Sequence, residues 1–244
     1  QPGGARRDEQ AAGHHRVGVR PAPRHLRVRL MVALTFATGM LDAVGYLGLD
    51  RVFTGNMTGN VVILGMGLAG AGGLPVAGPL AALGGYVCGA AVVGRVLAGR
   101  PSTWNAAVTA VFTVNAGALV AAGIVLSVGH VTGSSIPGVL IAATLAVLMG
   151  AQASAARALA VPDMTTVVVT STLTAYAGET LFAPGFGWFR HRRFWAIAAI
   201  FAGALSGALI LERVHIAGPL FVAAGISAVV AVAGHFAWER AESA

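Results

Sequence analysis

The chain has 244 residues, of which 56% are hydrophobic and only 10% are charged, and its mean hydropathy is +0.77. Soluble domains carry about 25% charged residues, so this composition excludes an ordinary soluble protein and indicates one embedded in a lipid bilayer. The net charge of +7 is the difference between sixteen basic residues, all Arg, and nine acidic residues, and seven of the arginines lie within residues 1–29. No basic patch is interleaved with aromatic residues, so we predict no nucleic-acid partner.

Residues 1–29 are rich in Pro, Gly and Arg, which predicts a disordered tail. Beyond this tail, apolar runs bounded by Gly, Pro and charged residues predict an all-α bundle of eight elements. A helix needs about 20 apolar residues to cross a bilayer, and six runs meet that length comfortably. The eight elements are centred on Leu30–Leu49, Gly55–Leu74, Gly78–Leu97, Trp104–Val128, Ile136–Leu159, Met164–Phe182, Phe194–Leu211 and Ile216–Trp238.

The first element carries a charged residue, Asp42, where insertion into a bilayer costs about 2.5 to 3.5 kcal/mol. Such a residue faces the interior of a bundle, is protonated, or is paired. One interpretation is a proton- or cation-linked site. The other is that the helix leaves the bilayer near Gly45 or Gly48, so that Asp42 lies close to the interface.

The second element opens with the polar segment "FTGNMTGN", which includes Asn56, Thr58 and Asn60. Its glycines, asparagines and threonines disfavour an uninterrupted helix. A broken segment in a membrane survives only where protein or a water-filled cavity satisfies its peptide groups. We therefore consider a cavity-lining segment, or alternatively a helix N-cap with a packing notch at Gly55 and Gly59.

The sixth element opens with "MTTVVVTSTLT", preceded by Gln152 in the fifth. Its hydroxyls at Thr166, Thr170 and Thr174 recur every four residues and form one stripe of a helix. Such side chains line a polar path or bond their own helix backbone. We predict that Gln152, Thr170 and Thr172 are the second unit's contribution to a polar site.

The sequence also contains an internal match, "GYVCGAAVVGRV" against "GALSGALILERV". Each segment carries a G-x3-G pair, which favours close helix packing: Gly85 with Gly89, and Gly203 with Gly207. Together with the two polar elements, the match predicts two membrane repeats, residues 30–128 and 136–238.

The distribution of the arginines between the two sides of the bilayer favours one topology. If all eight elements cross the bilayer, the two sides carry 11 and 5 arginines; if the second and sixth are re-entrant, they carry 14 and 2. Positive residues concentrate on the cytoplasmic side, which favours six full spans, inverted repeats and a cytoplasmic N-terminus. Seven or eight full spans remain the alternative.

Motifs of common catalytic, metal and nucleotide sites are absent from the sequence, which contains no H-E-x-x-H, C-x2-C, G-x-S-x-G or Walker-type pattern. We therefore predict no catalytic residue, no metal site and no cofactor.

The stretch "GMLDAVGYLGLDRVFTGNMTGNVVILG", residues 39–65, resembles the YoaK-type family of bacterial multi-spanning membrane proteins, known as domain of unknown function 1275. The residues that carry the resemblance are Gly39, Asp42, Ala43, Phe53 and the M-T-G-N motif of Met57–Asn60. In the second half, Gly150, Gln152, Thr165, Thr166, Thr170, Thr172, Leu173 and Thr174 match, whereas Ser171 replaces a family Gly. The resemblance implies a multi-spanning protein of the bacterial inner membrane and implies no particular substrate.

The leading hypothesis is a permease or channel for a small solute or ion, with Asp42, Asn56, Thr58, Asn60, Gln152, Thr170 and Thr172 along its path. Two rivals remain. One is a non-transporting scaffold or accessory subunit that binds a partner membrane protein or a second copy of itself. The other is an intramembrane enzyme that uses Asp42.

Overall fold

The computed structural model describes residues 24–100, 103–129, 131, 133–159, 173–174, 177–178 and 192–242. Seven α-helices account for most of these residues, and no strand occurs among them. The helices are α1 (Arg24–Gly48), α2 (Met57–Leu68), α3 (Ala77–Leu97), α4 (Ala106–Val128), α5 (Ile136–Ala158), α6 (Arg192–Arg213) and α7 (Gly218–Glu242). The predicted all-α fold class is confirmed.

Six of the described helices, all except α2, are long and apolar enough to cross a bilayer. The exception has 12 residues and is about 18 Å long at 1.5 Å per residue, against a hydrocarbon core of about 30 Å. A 3-10 turn at Ala71–Gly73 then leads to α3. The second element therefore does not cross as a helix. The predicted sixth element lies outside the described residues except for residues 173–174 and 177–178.

Helix α1 begins at Arg24, so it includes residues 24–29 of the predicted tail. The reason is packing. Leu26 and Val28 are half-buried against the cluster that contains Leu30 and Leu34, so the helix begins before the apolar run that starts at Leu30. The rest of the predicted tail lies outside the described residues.

Two apolar clusters divide the bundle into two ends. At one end the start of α1 packs with the end of α3, the start of α4, the end of α5 and the second half of α7. At the other end the second half of α1 packs with the start of α3, the end of α4 and the first halves of α5 and α7. We call the first the arginine-rich end, because Arg27, Arg29, Arg95, Arg100, Arg157 and Arg193 lie there. Arg51 and Arg213 belong to the other, which we call the loop end.

Glycines set two parallel helix pairs. A Cβ at Gly85 would lie 2.6 Å from the carbonyl oxygen of Ala143, and one at Gly89 would overlap that of Val147, so α3 runs parallel to α5. On the opposite side of the bundle, a Cβ at Gly203 would overlap the carbonyl oxygen of Phe36, and one at Gly207 would lie 2.7 Å from that of Met40. Helix α6 therefore runs parallel to α1.

These directions fix where the two predicted polar elements attach. Helix α1 ends and α3 begins at the loop end, so the chain that contains α2 starts and finishes on one side of the bundle. Helix α5 ends and α6 begins at the arginine-rich end, because α6 is parallel to α1 and Ala196 packs on the cluster there.

We expect Gly89→Ala to destabilise the protein by about 1 to 3 kcal/mol, because the added methyl group must displace the backbone of α5. The matched control is Gly84→Ala on the same helix, where an added Cβ meets nothing within 4 Å. That change replaces a glycine inside a helix and is expected to be neutral or stabilising by up to about 1 kcal/mol. Thermal unfolding midpoints in detergent measure both, and equal midpoints would contradict the close contact.

Candidate functional site

The chain turns back into the bundle immediately after α1. Asp50 and Arg51 both adopt left-handed backbone conformations, with φ of 64° and 59°. The Gly45 carbonyl oxygen accepts hydrogen bonds from the amides of Leu49 and Val52, each at 3.2 Å. This reversal starts the segment that we call the polar loop, residues 49–56, which leads to α2.

Asp42 holds the polar loop from the side. Its Oδ1 accepts hydrogen bonds from the amide of Thr54 at 2.9 Å, the hydroxyl of Thr54 at 3.2 Å and the amide of Gly55 at 2.7 Å. The side chain is 9% exposed, and Thr54 is fully buried. Hydrogen bonds to a carboxylate are stronger than those between neutral groups, so this contact fixes the loop on α1.

Asn60 closes the polar loop from the α2 side. Its Oδ1 accepts from the amide of Phe53 at 2.8 Å, and its Nδ2 donates to the carbonyl oxygen of Phe53 at 2.6 Å. The fully buried Asn60 side chain thus bonds both the backbone amide and the backbone carbonyl group of Phe53. The ring of Phe53 in turn stacks on Tyr46 of α1, with centroids 5.0 Å apart.

The polar loop reaches the middle of the bundle. Gly55 lies against Thr38, since a Cβ on Gly55 would be 2.8 Å from Thr38 Cγ2. Thr38 precedes the end of α1 at Gly48 by ten residues, about 15 Å of helix. That depth is about half of a 30 Å hydrocarbon core, so α2 begins near the midplane and returns towards the loop end.

Two further polar residues, Asn56 and Thr58, lie at the start of α2, and unlike Asn60 they face outwards. Asn56 is the N-cap, and its Oδ1 accepts from the amide of Gly59 at 3.1 Å. Asn56 and Thr58 are both exposed. The N-cap interpretation thus fits Asn56, while Gly59 packs against the ring of Phe53 and not against another helix.

Gln152 of α5 joins the same region through Thr38. Its Nε2 donates to Thr38 Oγ1 at 3.0 Å, and the Thr38 hydroxyl donates to the Leu34 carbonyl oxygen at 2.9 Å. The Gln152 side chain is 1% exposed, and its Oε1 has no hydrogen-bond partner among the described residues. Asp42 and Asn60 are therefore bonded to the polar loop, and Gln152 to the Thr38 side chain beside it, whereas Thr170 and Thr172 lie outside the described residues.

Comparison with known proteins agrees with this architecture. The family described as "Protein of unknown function (DUF1275)" matches residues 30–233. This chain belongs to that family. It is 31% identical over 151 residues to the UPF0700 transmembrane protein YoaK of Bacillus subtilis (strain 168), an alignment that covers 61% of this chain and 65% of YoaK, less than two thirds of that relative. No solved structure matches the chain significantly.

The residues that resemble this DUF1275 family have distinct structural positions here. Asp42 and Asn60 bind the backbone of the polar loop, and Gly39 allows the backbone of α6 to approach α1, since its Cβ would lie 3.0 Å from the amide nitrogen of Ala204. Gly150 has the corresponding place between α5 and α3, where a Cβ would lie 3.0 Å from the amide nitrogen of Ala90.

Sequence reasoning missed Thr38 and Thr54. Thr54 is fully buried and gives two of the three hydrogen bonds to Asp42, and Thr38 links the loop to Gln152. A signal for Thr38 existed, because residues four apart lie on the same helix face and Thr38 precedes Asp42 by four. Among the described residues, no group of three metal-ligating side chains occurs.

We expect Asp42→Leu to lower the thermal unfolding midpoint strongly, because the amides of Thr54 and Gly55 lose their acceptor at a cost of about 1 to 3 kcal/mol each. Asp42→Asn keeps one acceptor oxygen and should have an intermediate effect. Asp50→Asn removes the same charge from a left-handed loop position that Asn tolerates well, so it should leave the midpoint unchanged. A wild-type midpoint for Asp42→Leu would rule out the anchoring role.

Asn60→Asp and Asn56→Asp form a second matched pair, since both add one negative charge to α2. Asp at position 60 cannot donate to the Phe53 carbonyl oxygen and sets a carboxylate oxygen against it, so destabilisation of about 2 kcal/mol or more is expected. Asp at position 56 remains a good N-cap beside a positive helix terminus and should be neutral. Chemical or thermal unfolding in detergent distinguishes them, and similar losses in both would contradict the difference in burial.

Proposed function

We propose that this protein is a permease or channel for a small solute or ion in the bacterial inner membrane. The observation that carries the proposal is a non-helical polar loop that reaches half the depth of an apolar bundle, followed by the N-terminus of a short helix. In membranes, irregular backbone at this depth is found where it is buried in protein or lines a solute path. Interrupted helices of this kind form the binding sites of many transporters.

Two inverted repeats, residues 30–128 and 136–238, are part of the proposal, and reciprocal contacts support them. Gly39 lies against Ile200 and Ala204, and Gly150 lies in the same way against Tyr86 and Ala90. The two glycines are 111 positions apart, and each contacted residue of α3 is 114 positions before its counterpart in α6.

A second reciprocal contact follows the same offsets. Gly89 lies against Val147, and Gly203 lies against Phe36. These contacts pair Gly203 with Gly89, one helical turn from the match with Gly85 that the G-x3-G alignment suggests. Since α1 and α5 run in opposite directions, the two units would be inverted relative to each other.

We place the arginine-rich end, and with it the N-terminus, in the cytoplasm. The described arginines are concentrated at that end, and positive residues beside membrane helices are retained on the cytoplasmic side. The polar loop and α2 would then enter from the outer side of the membrane. Residues 30–128 and 136–238 would then direct their polar elements to opposite sides of the membrane, as inverted repeats do.

The proposed path includes the exposed start of α2, with Asn56 and Thr58, and the buried cluster of Asp42, Asn60 and Gln152. Asp42 and Asn60 shape this path by holding the polar loop, since their described hydrogen bonds go to loop backbone and to the Thr54 hydroxyl. Thr170 and Thr172 belong to the proposal on the basis of the sequence repeat.

Thiol labelling tests whether the start of α2 borders water. In a Cys88→Ala background, which removes the single native cysteine, we expect Thr58→Cys to react with a charged, membrane-impermeant reagent in proteoliposomes. The matched control is Val87→Cys, an exposed position in the middle of α3 that faces lipid and should not react. Solute flux is measured in the same vesicles by osmotic swelling and by a potential-sensitive dye. An unreactive Cys at position 58, with no flux of any solute, would contradict the proposal.

A further inference from the structure

We propose that the Gln152–Thr38–Asp42 cluster binds a small monovalent cation, of the size of ammonium, potassium or sodium. This inference rests on the proposed permease function and names the class of solute. Its starting point is the Gln152 side-chain oxygen, a buried acceptor without a hydrogen-bond partner among the described residues. Buried polar atoms in folded proteins are nearly always bonded, and an exception marks a place for a ligand, a water or an ion.

The orientation of the Gln152 amide is fixed by its surroundings. Its Nε2 contacts the Thr38 hydroxyl at 3.0 Å and the Leu34 carbonyl oxygen at 3.5 Å. The Thr38 hydroxyl already donates its proton to Leu34, so it can only accept from Gln152. The reversed amide would set Oε1 against the Leu34 carbonyl oxygen, which offers no proton, and could accept from Thr38 only if that hydroxyl gave up its bond to Leu34. The unsatisfied atom is therefore the oxygen, and its ligand must carry a positive charge or a proton donor.

Charge favours a cation over an anion or a neutral solute. Asp42 lies on the same face of α1 as Thr38, one turn away, and a Cβ on Gly55 would lie within 4 Å of both side chains. Among the side chains that the structure describes, Asp42 is the one buried acidic group, and each Arg and His is at least partly exposed. The three donors to Asp42 are neutral, so they stabilise the carboxylate without cancelling its charge.

The donor set and the space favour a monovalent ion. Amide and carboxylate oxygens suit hard cations, but Ca²⁺ takes six to eight oxygens, with several carboxylates, and this cluster offers one carboxylate. The site is also closed to solvent, because Thr54, Gln152 and Thr38 are 0%, 1% and 3% exposed. Bulky organic cations such as choline should therefore be excluded.

The other buried amides of the described residues provide the contrast. Asn60 is bonded at both ends of its amide, and Asn115 donates to the Leu148 carbonyl oxygen at 3.1 Å between α4 and α5. Ser154, two residues after Gln152 on α5, donates to the Ala90 carbonyl oxygen at 2.7 Å. Ser154 is thus a polar residue of the same helix whose hydrogen bond is complete.

The test uses the full chain in detergent, and measures its thermal unfolding midpoint as ammonium, potassium or sodium chloride replaces choline chloride at constant ionic strength. We expect a saturable rise with at least one of these cations. Gln152→Met, which keeps the length of the side chain, should weaken the apparent affinity at least tenfold, whereas Ser154→Ala should leave it unchanged. If Gln152→Met does not fold, Thr38→Val, which removes the hydroxyl that orients the amide, takes its place.

Three results would overturn the inference: no response to any of the three cations, an equal response in Gln152→Met, or an equal rise when choline formate replaces choline chloride, an exchange that changes only the anion. Flux in proteoliposomes is measured separately. A cation response without flux would support the binding site and contradict the permease function. Flux of a neutral solute without a cation response would support the permease function and contradict the cation site.

Discussion

A peptide group cannot remain without a hydrogen-bond partner inside a bilayer, and the polar loop is where this chain meets that constraint. The loop stays non-helical from the end of α1 to half the depth of the bundle, so its amides need acceptors that no helix supplies. Asp42 supplies one for Thr54 and Gly55, and Asn60 satisfies Phe53. These two side chains therefore hold the start of α2 in the interior of the bundle.

Helix α1 connects this loop to the rest of the bundle, because its different faces have different partners. Gly39 and Phe36 contact the backbone of α6, while Thr38 and Asp42 contact the polar loop. The close approach that small residues permit makes α1 a rigid support on one side. On its other side, α1 can then hold the buried carboxylate of Asp42 in one position. The contact of Asp42 with the polar loop therefore depends on the packing of the bundle.

The sequence predicted much of the fold, because the bilayer imposes a simple length and polarity rule on every span. The apolar runs identified six spanning helices and placed Asp42 inside the first of them. The composition of the segment around Asn56 and Asn60 indicated a broken helix, and α2 is short. The partners of these side chains were not predictable. Asn60 bonds Phe53, and Gln152 reaches Thr38 across more than a hundred residues, and neither pairing has a periodic signature.

What the sequence determined by itself is the membrane class, the six long apolar helices of the described residues and the polar segment that precedes α2. These features depend on local composition, because burying a charge or an unpaired peptide group in a bilayer costs free energy. Only the tertiary structure decided that α1 and α6 are parallel, that Gly89 lies against Val147 and Gly203 against Phe36, and which acceptor has no partner among the described residues. Those features depend on contacts between helices distant in the chain. A shift of one helix by one turn along its partner would leave every sequence pattern unchanged but would change which residues are neighbours.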